Sequence, residues 1–408
     1  MNTQEIFALA LGLQSPWKIN QVSFEEGRTR RTLIIEIDFE RGSLFPDEVG
    51  EMCRVHDTVK RKWRHLNFFE HECYLHCRVP RIRTSEGNVV QVGVPWARSG
   101  SGFTLLFEAF AMHLIEAEMP VSKVGQTLSE YPNRIWTIFN YWIGIAYPRA
   151  DHHGVRVLGI DETSAKKRHK YVTVAVDLDE RRVVHATPGK GSDCIETIQT
   201  YLEGKGCPAS QIEQVCIDLS TSYISGVTRH FEKAAIVFDR FHIKKALNEA
   251  MDQVRKAERE EHEELKYHKY TFLKRNAKLS DEQKAKRDEL IELFPTLGQA
   301  YRFKELFDDF WDLEDPDDAE AFLNDWCNLV SKSKITPFRD FVKTLRSHWS
   351  GVINYIHHRI SNGVIEGINS KIQLAKKRAR GYRNVENFIN MIYFISGKLE
   401  FDYPQRSA

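Results

Sequence analysis

The run Val155-Arg-Val-Leu-Gly-Ile160 is an apolar strand pattern that ends in the acidic pair Asp161-Glu162. Lys170-Tyr-Val-Thr-Val-Ala-Val176 and Arg182-Val-Val-His-Ala186 follow as two more strands, joined by the acidic turn Asp177-Leu-Asp-Glu180. A helix over Cys194 to Leu202 leads to a strand, Ile212 to Ile217, that ends in Asp218. A second helix, Ser222 to Phe231, leads to Ala234-Ala-Ile-Val-Phe238, which ends in Asp239. Three hairpin-linked strands and then an alternation of helix and strand is the order of a mixed-sheet α/β domain.

Toward the C-terminus the texture becomes helical. Residues 227–350 hold a single glycine, Gly298, and are dense in Glu, Lys, Ala, Leu and Arg. Ser280-Asp-Glu-Gln283 is a capping-box signature, and breaks are expected near Pro295, Pro316 and Pro337. A long charged helix is expected over about 243–270. Toward the N-terminus, Thr32 to Phe39 and Val89 to Val94 alternate as strands around a stretch rich in Cys and His, and Gly100-Ser-Gly102 marks a break. Pro120 to Leu128 and Asn133 to Ile143 are two short helix patterns around a tight turn, which fits a helix-turn-helix. Its second helix offers Asn133, Arg134 and Asn140 for base contacts, while Ile135, Trp136, Phe139 and Trp142 belong to the core. The pattern divides the chain into a mixed, strand-containing N-terminal part (1–100), a helix-turn-helix (101–150), an α/β part (151–242), a helical stretch (243–350) and a C-terminal part with the basic segment (351–408).

Composition narrows the class. Hydrophobic residues make up 42% and charged residues 28% of 408, a globular balance that excludes disorder and low-complexity classes. No run approaches the roughly 18–20 apolar residues a membrane span needs. The start has no basic segment before its short apolar run, so a cytoplasmic, nucleoid-associated protein is expected. Seven scattered cysteines make no disulfide framework. Net charge is only +1, but basic residues cluster at Lys60-Arg-Lys-Trp-Arg64. They cluster again as Lys371, Lys376, Lys377, Arg378, Arg380 and Arg383, with no acid among them. Two such patches shift the reading from a solvated face toward phosphate contacts.

Asp161 and Asp218 close separate strands, where ligands of an open α/β sheet bind. Glu366 lies in Ser361-Asn-Gly-Val-Ile-Glu-Gly-Ile-Asn-Ser-Lys371. Helical spacing there puts Ile365, Ile368 and Ile372 on one face. Glu366, Asn369, Ser370, Gln373 and Lys377 lie on a polar face that runs into the basic stretch. Clustered carboxylates repel unless cations neutralise them, and oxygen ligands select Mg2+ or Mn2+. Two such ions serve phosphoryl transfer.

Several linked blocks together resemble the signature of bacterial DDE transposases, specifically the ISL3 insertion-sequence family. They are Gly159-Ile-Asp-Glu162, Asp218-Leu-Ser-Thr-Ser-Tyr223, Phe238-Asp-Arg-Phe-His242 and Asn362-Gly-Val-Ile-Glu-Gly-Ile-Asn369. Trp63-Arg-His-Leu66, Val94-Pro-Trp-Ala-Arg98 and Lys377-Arg-Ala-Arg-Gly-Tyr-Arg383 are similar too, in order along the chain. The resemblance implies an RNase-H-like catalytic domain with a large all-α insertion, preceded by a small β-containing, zinc-ribbon-like domain and a helix-turn-helix. It implies Asp161, Asp218 and Glu366 as catalytic, metal-holding acids. The DNA partners it implies are inverted-repeat ends and target DNA, met by a homodimer or higher oligomer.

One departure stands out. The family pattern has two Cys-x-x-Cys pairs near the N-terminus; here the first reads Cys53-Arg-Val-His56, and Thr84-Ser-Glu-Gly87 stands in place of the second. Cys53, His56, Cys73 and Cys77 are the alternative Zn2+ ligands. A metal-free domain is the preferred reading, because a Cys-x3-Cys on a strand is not the usual knuckle. Asp239 and His242 are read as structural or DNA contacts, Glu162 as facing the other side of its strand, and Cys194, Cys207, Cys216 and Cys327 as buried small hydrophobes. Three functions fit: a DNA transposase, a nuclease or resolvase of the same fold, or a DNA-binding derivative that has lost catalysis. The intact acids argue against the third.

Overall fold

The computed structural model describes residues 2–26, 31–166, 170–358 and 363–403. The chain forms two units, one of residues 1–146 with the tail from 400, the other of residues 147–399.

The first unit opens with helix α1 (Thr3–Ala10), whose Asn2 and Glu5 form a capping box. Strands β1 (Trp17–Glu25), β2 (Thr32–Phe39), β3 (Leu44–Pro46), β4 (Met52–Phe68), β5 (His71–Arg83) and β6 (Val89–Gln91) follow. They build a sheet in the order β1-β2-β5-β4-β3, with β6 on β5. The Cys/His-rich stretch is therefore one long hairpin. Along β5, Cys73, Leu75, Cys77 and Val79 alternate inward against Leu33, Ile35 and Ile37 of β2. The basic cluster of β4 is divided by position along the strand, since Lys60, Lys62 and Arg64 share one face of it. Lys60 and Lys62 are exposed opposite Arg78 and His76, whereas Arg64 is buried and bonds the carbonyl of Cys73 at 3.2 Å.

Helices α2 (Leu105–Glu116), α3 (Val121–Thr127) and α4 (Pro132–Arg149) complete the unit. The expected helical pair is present as α3 and α4. Its turn is tight enough that a Cβ on Gly125 would lie 2.7 Å from the Glu130 carbonyl oxygen, which is why glycine stands there. Ile135, Phe139 and Trp142 are buried, as their spacing predicts. The tail returns to this unit, with Tyr403 edge-on to Trp142 and His113 at 5.5 Å.

The second unit is built on β7 (Val157–Lys166), β8 (Lys170–Asp177), β9 (Arg182–Pro188), α5 (Ser192–Gly204), β10 (Gln214–Ile217), α6 (Thr221–His230) and β11 (Ala235–Phe238). The sheet order is β11-β10-β7-β8-β9, with β10 parallel to both its neighbours and the β7-β8-β9 run antiparallel. The mixed α/β order read from the sequence holds throughout. Asp177 closes the β8–β9 hairpin by accepting the backbone N–H groups of Asp179 and Glu180.

Helices α7 (Arg240–Glu261), α8 (Lys269–Leu273), α9 (Asp281–Leu293), α10 (Pro295–Asp308), α11 (Pro316–Ser331), α12 (Thr336–Ser347) and α13 (Trp349–His358) share one hydrophobic core with the sheet. Pro295 and Pro316 open α10 and α11, and Pro337 falls in the first turn of α12, where a missing N–H costs nothing. The single long helix expected over 243–270 is corrected. α7 ends at Glu261, because Leu265 and Phe272 fold back into the core and Arg255 bonds the Leu265 carbonyl at 3.0 Å. The C-terminal part adds α14 (Gly363–Arg378) and α15 (Val385–Ser396). Ser361 and Asn362 of the Glu366 block lie outside the described residues.

Candidate active site

Parallel pairing sets the register of three aspartates. Cys216 of β10 pairs with Gly159 of β7, and Ile217 pairs with Phe238 of β11. Continuing both registers puts Asp161, Asp218 and Asp239 in one row across three neighbouring strands, whose spacing is about 4.8 Å. The sequence pattern places Asp161 past its strand end, and this is corrected. Asp161 lies within β7, because antiparallel β8 carries β7 on to Lys166 after β10 has stopped. The end is real only on the β10 side.

Helix α14 packs on β7, at the Asp161 end of this row. A Cβ on Gly159 would fall 2.2 Å from Ile365, so the missing side chain is what seats the helix. Asn369 Nδ2 donates to Asp161 Oδ2 at 2.7 Å, and Gln373 Nε2 to Thr163 Oγ1 at 2.6 Å. Lys376 donates to the Ser164 carbonyl. Four residues of helix rise about 6 Å and two of strand about 6.6 Å, so contacts at 365, 369 and 373 keep step with 159, 161 and 163. Glu366 is one turn before Asn369 on the exposed side of the helix.

The electrostatics single out Asp161. Burial first, and then the charges of Asp218 and Asp239, push its carboxyl up to about 6; the Glu162 N–H and His242 act against this. Asp239 is differently placed. One of its oxygens caps α7 through the Phe241 N–H at 2.9 Å, and the other lies 3.2 Å from His242 Nδ1. That contact with Asp239 holds the imidazole above its usual range. Asp239 is thus engaged by its own helix and histidine, while Asp161 Oδ2 faces Asn369 of α14 and Asp218 Oδ1 accepts the Ser220 N–H at 2.9 Å. Sequence pattern alone leaves Asp239 and His242 outside the site. The signal available is that three apolar runs, ending at Ile160, Ile217 and Phe238, are each followed directly by an aspartate.

This donor set suits a hard divalent cation. Asn369 Oδ1 is buried beside Asp161 with no hydrogen-bond partner among the described residues, an acceptor open to a cation or its water. Among the described residues no three Asp, Glu, His or Cys side chains converge closely enough to enclose an ion. Asp161, Asp218 and the helix bearing Glu366 are brought together; the Glu366 carboxylate itself stays exposed.

The zinc set is corrected. Cys73 pairs across the hairpin with His65 and Cys77 with Arg61, while Cys53 is eight residues further along β4, about 26 Å away at about 3.3 Å per residue. Cys53, His56, Cys73 and Cys77 therefore cannot surround one ion. Burial pushes the thiols of Cys73 and Cys77 up to about 12, which disfavours the thiolates that zinc requires.

The DNA candidates divide. Asn133 is exposed in the first turn of α4. Arg134 bonds Glu130 at 2.5 Å and lies over the Phe103 ring at 4.2 Å, so it ties α4 to its own unit. Asn140 is half-buried. In the basic segment Lys371, Lys377, Arg378, Arg380 and Arg383 are exposed, and Lys376 is drawn in against Ser164.

Comparison with known proteins matches this organisation in order. A zinc-finger model of the transposases of IS204, IS1001, IS1096 and IS1165 matches residues 50–86, and the helix-turn-helix model of transposase family ISL3 matches residues 93–143. The DDE-type transposase model of the same family matches residues 158–392, more than half of the chain. The class is thus a DDE transposase, an enzyme acting on DNA. The chain belongs to the ISL3 family of transposases. It is 27% identical to the transposase for insertion sequence element IS1001 of Bordetella parapertussis, over 88% of this chain and 90% of that one. It is 25% identical to the transposase for IS1557 of Mycobacterium tuberculosis, over 89% of this chain and 92% of that one.

Proposed function

We propose that the second unit is an RNase-H-like catalytic domain interrupted by a helical insertion, with Asp161, Asp218 and Glu366 as its metal-holding acids. The observation that carries this reading is the bond from Asn369 to Asp161, which fixes the helix of Glu366 one turn from the aspartate row. The strand order, with two parallel strands added to the first of three antiparallel ones, supports the fold assignment. Mg2+ or Mn2+ held by these acids would activate the attacking oxygen and stabilise the leaving one in an in-line displacement at phosphorus. The chain's own residues orient that chemistry. Asn369 fixes the rotamer of Asp161, and the contact with Asp239 holds the His242 imidazole above its usual range beside the row.

Water attack at each end of the element frees a 3′-OH, and that hydroxyl then attacks target DNA. The first unit reads the inverted repeats, with Asn133 as its exposed base-reading candidate. Lys371, Lys377, Arg378, Arg380 and Arg383 contact phosphate, and a homodimer or higher oligomer pairs the two ends. Incubation with a paired-end substrate in Mg2+ is the test. Nicks with 3′-OH ends and joined products, both lost in chelator, are expected. Nicks without joining would mean a nuclease or resolvase, and neither product would mean a DNA-binding derivative.

A further inference from the structure

Residues 265–279 of the second unit contain Lys266, Lys269, Lys274, Arg275 and Lys278 and no acid. Within this basic run Tyr267 is 83% exposed and Tyr270 64% exposed, among the most exposed large apolar side chains described. Single exposed aromatics are ordinary, but two tyrosines three positions apart among lysines are not.

The segment is also held from below. Buried Arg255 bonds the Leu265 carbonyl at 3.0 Å, and buried Lys304 bonds the Lys274 carbonyl at 3.2 Å. Arg275 is tied to Asp308 at 2.7 Å, and the Asn276 N–H to Glu305 at 3.1 Å. Leu265 and Phe272 are fully buried beneath it. Burying charged side chains to fix a solvent-facing backbone is costly, and an apolar anchor would hold a passive corner as well. The arrangement suits a surface that must be stiff before it binds.

We propose that this segment binds an unpaired DNA strand, with bases stacked on Tyr267 and Tyr270 and phosphates on Lys266 and Lys274. Flat rings flanked by cations are the means by which sequence-tolerant single-strand sites work, since every base has a face to stack. A duplex keeps its bases stacked on one another and offers these rings nothing. A nick at an element end leaves a strand terminus free to separate from its complement, so the inference rests on the DNA-cleaving reading for its source of ligand. Binding itself needs neither metal nor catalysis.

The full-length protein is titrated with a short oligothymidylate and with a random duplex of equal length, in chelator, so that failure of the catalytic reading leaves the result untouched. Joint Tyr267→Ala and Tyr270→Ala should weaken oligothymidylate binding at least ~10-fold and leave duplex binding unchanged. Joint Tyr267→Phe and Tyr270→Phe should retain it. Joint Lys266→Gln and Lys274→Gln should make the slope of log affinity against log salt shallower by about 0.7 for each lysine that pairs with a phosphate. The proposal is overturned by a wild-type protein that does not bind oligothymidylate. It is equally overturned by an alanine variant that binds as wild type or loses duplex binding to the same degree.

Discussion

Asp161 is a carboxyl in conflict with its surroundings. Its raised value, about 6 against an ordinary 3.8, means that the folded protein holds the proton more tightly than the unfolded chain. Stability from this group is complete below pH 3.8 and is lost as pH rises through about 6. Removing the charge should therefore help the metal-free fold only at higher pH. Asp161→Asn is expected to stabilise the protein in chelator by roughly 1–3 kcal/mol at pH 8, and by close to nothing at pH 4. Thermal unfolding at the two pH values measures this. Two histidines, His152 buried and His185 half-buried, have the opposite sign. Burial lowers both His152 and His185 to about 4, and Tyr201 bonds the first at 3.1 Å and stacks on the second at 4.4 Å. Stability from these groups is present above about 6.5 and is lost as pH falls toward 4. Denaturant unfolding across that window should show a steep loss, and one that becomes shallower in His185→Gln.

At the scale of elements, the contact between α14 and β7 makes the site. A Cβ on Gly159 would meet Ile365 Cδ1 at 2.2 Å and Leu178 Cδ2 at 2.8 Å, so a methyl fits only if these side chains shift. Gly159→Ala is expected to cost about 1–3 kcal/mol and to cut cleavage by displacing α14, with partial rescue by Ile365→Val. Unfolding and nicking assays on the single and double variants check this; a Gly159→Ala protein with wild-type nicking would detach α14 from the chemistry. Much of this scale is legible in the sequence. The three hairpin strands, the alternating strands and helices, the capping box at Ser280 and the proline breaks all follow from local pattern, because the residues that form them also bury them. Pattern fails where distant residues decide. β4 and β5 are so rich in Lys, Arg and His that their alternation hides in charge, and only the sheet partners β2 and β3 reveal which face is buried. Asp239 reads as structural or as a DNA contact because its register with Asp218 belongs to another strand.

At the scale of the molecule, the first unit is closed by its own C-terminal tail, something no local pattern announces. Tyr403 packs on Trp142, so a fragment of residues 1–150 exposes that ring face. Joining residues 400–403 to the fragment by a flexible linker should stabilise it by about 1–3 kcal/mol. The joined fragment should then select the element's inverted repeat over random DNA in a competition assay. Equal affinity for both would move end recognition to the second unit.

The second unit stands or falls on Glu366, the acid whose assignment depends on α14 alone. Loss of a ligand's supporting partner weakens metal affinity 10- to 100-fold in typical sites, and loss of a ligand should do at least as much. Mn2+ binding followed by paramagnetic resonance in the wild type and in Asp161→Asn, Asp218→Asn, Glu366→Gln and Asp239→Asn therefore reads the site directly. The expected result is a loss of at least ~10-fold for each of the first three and a smaller one for Asp239→Asn. A Glu366→Gln protein that binds Mn2+ as tightly as the wild type would contradict the assignment.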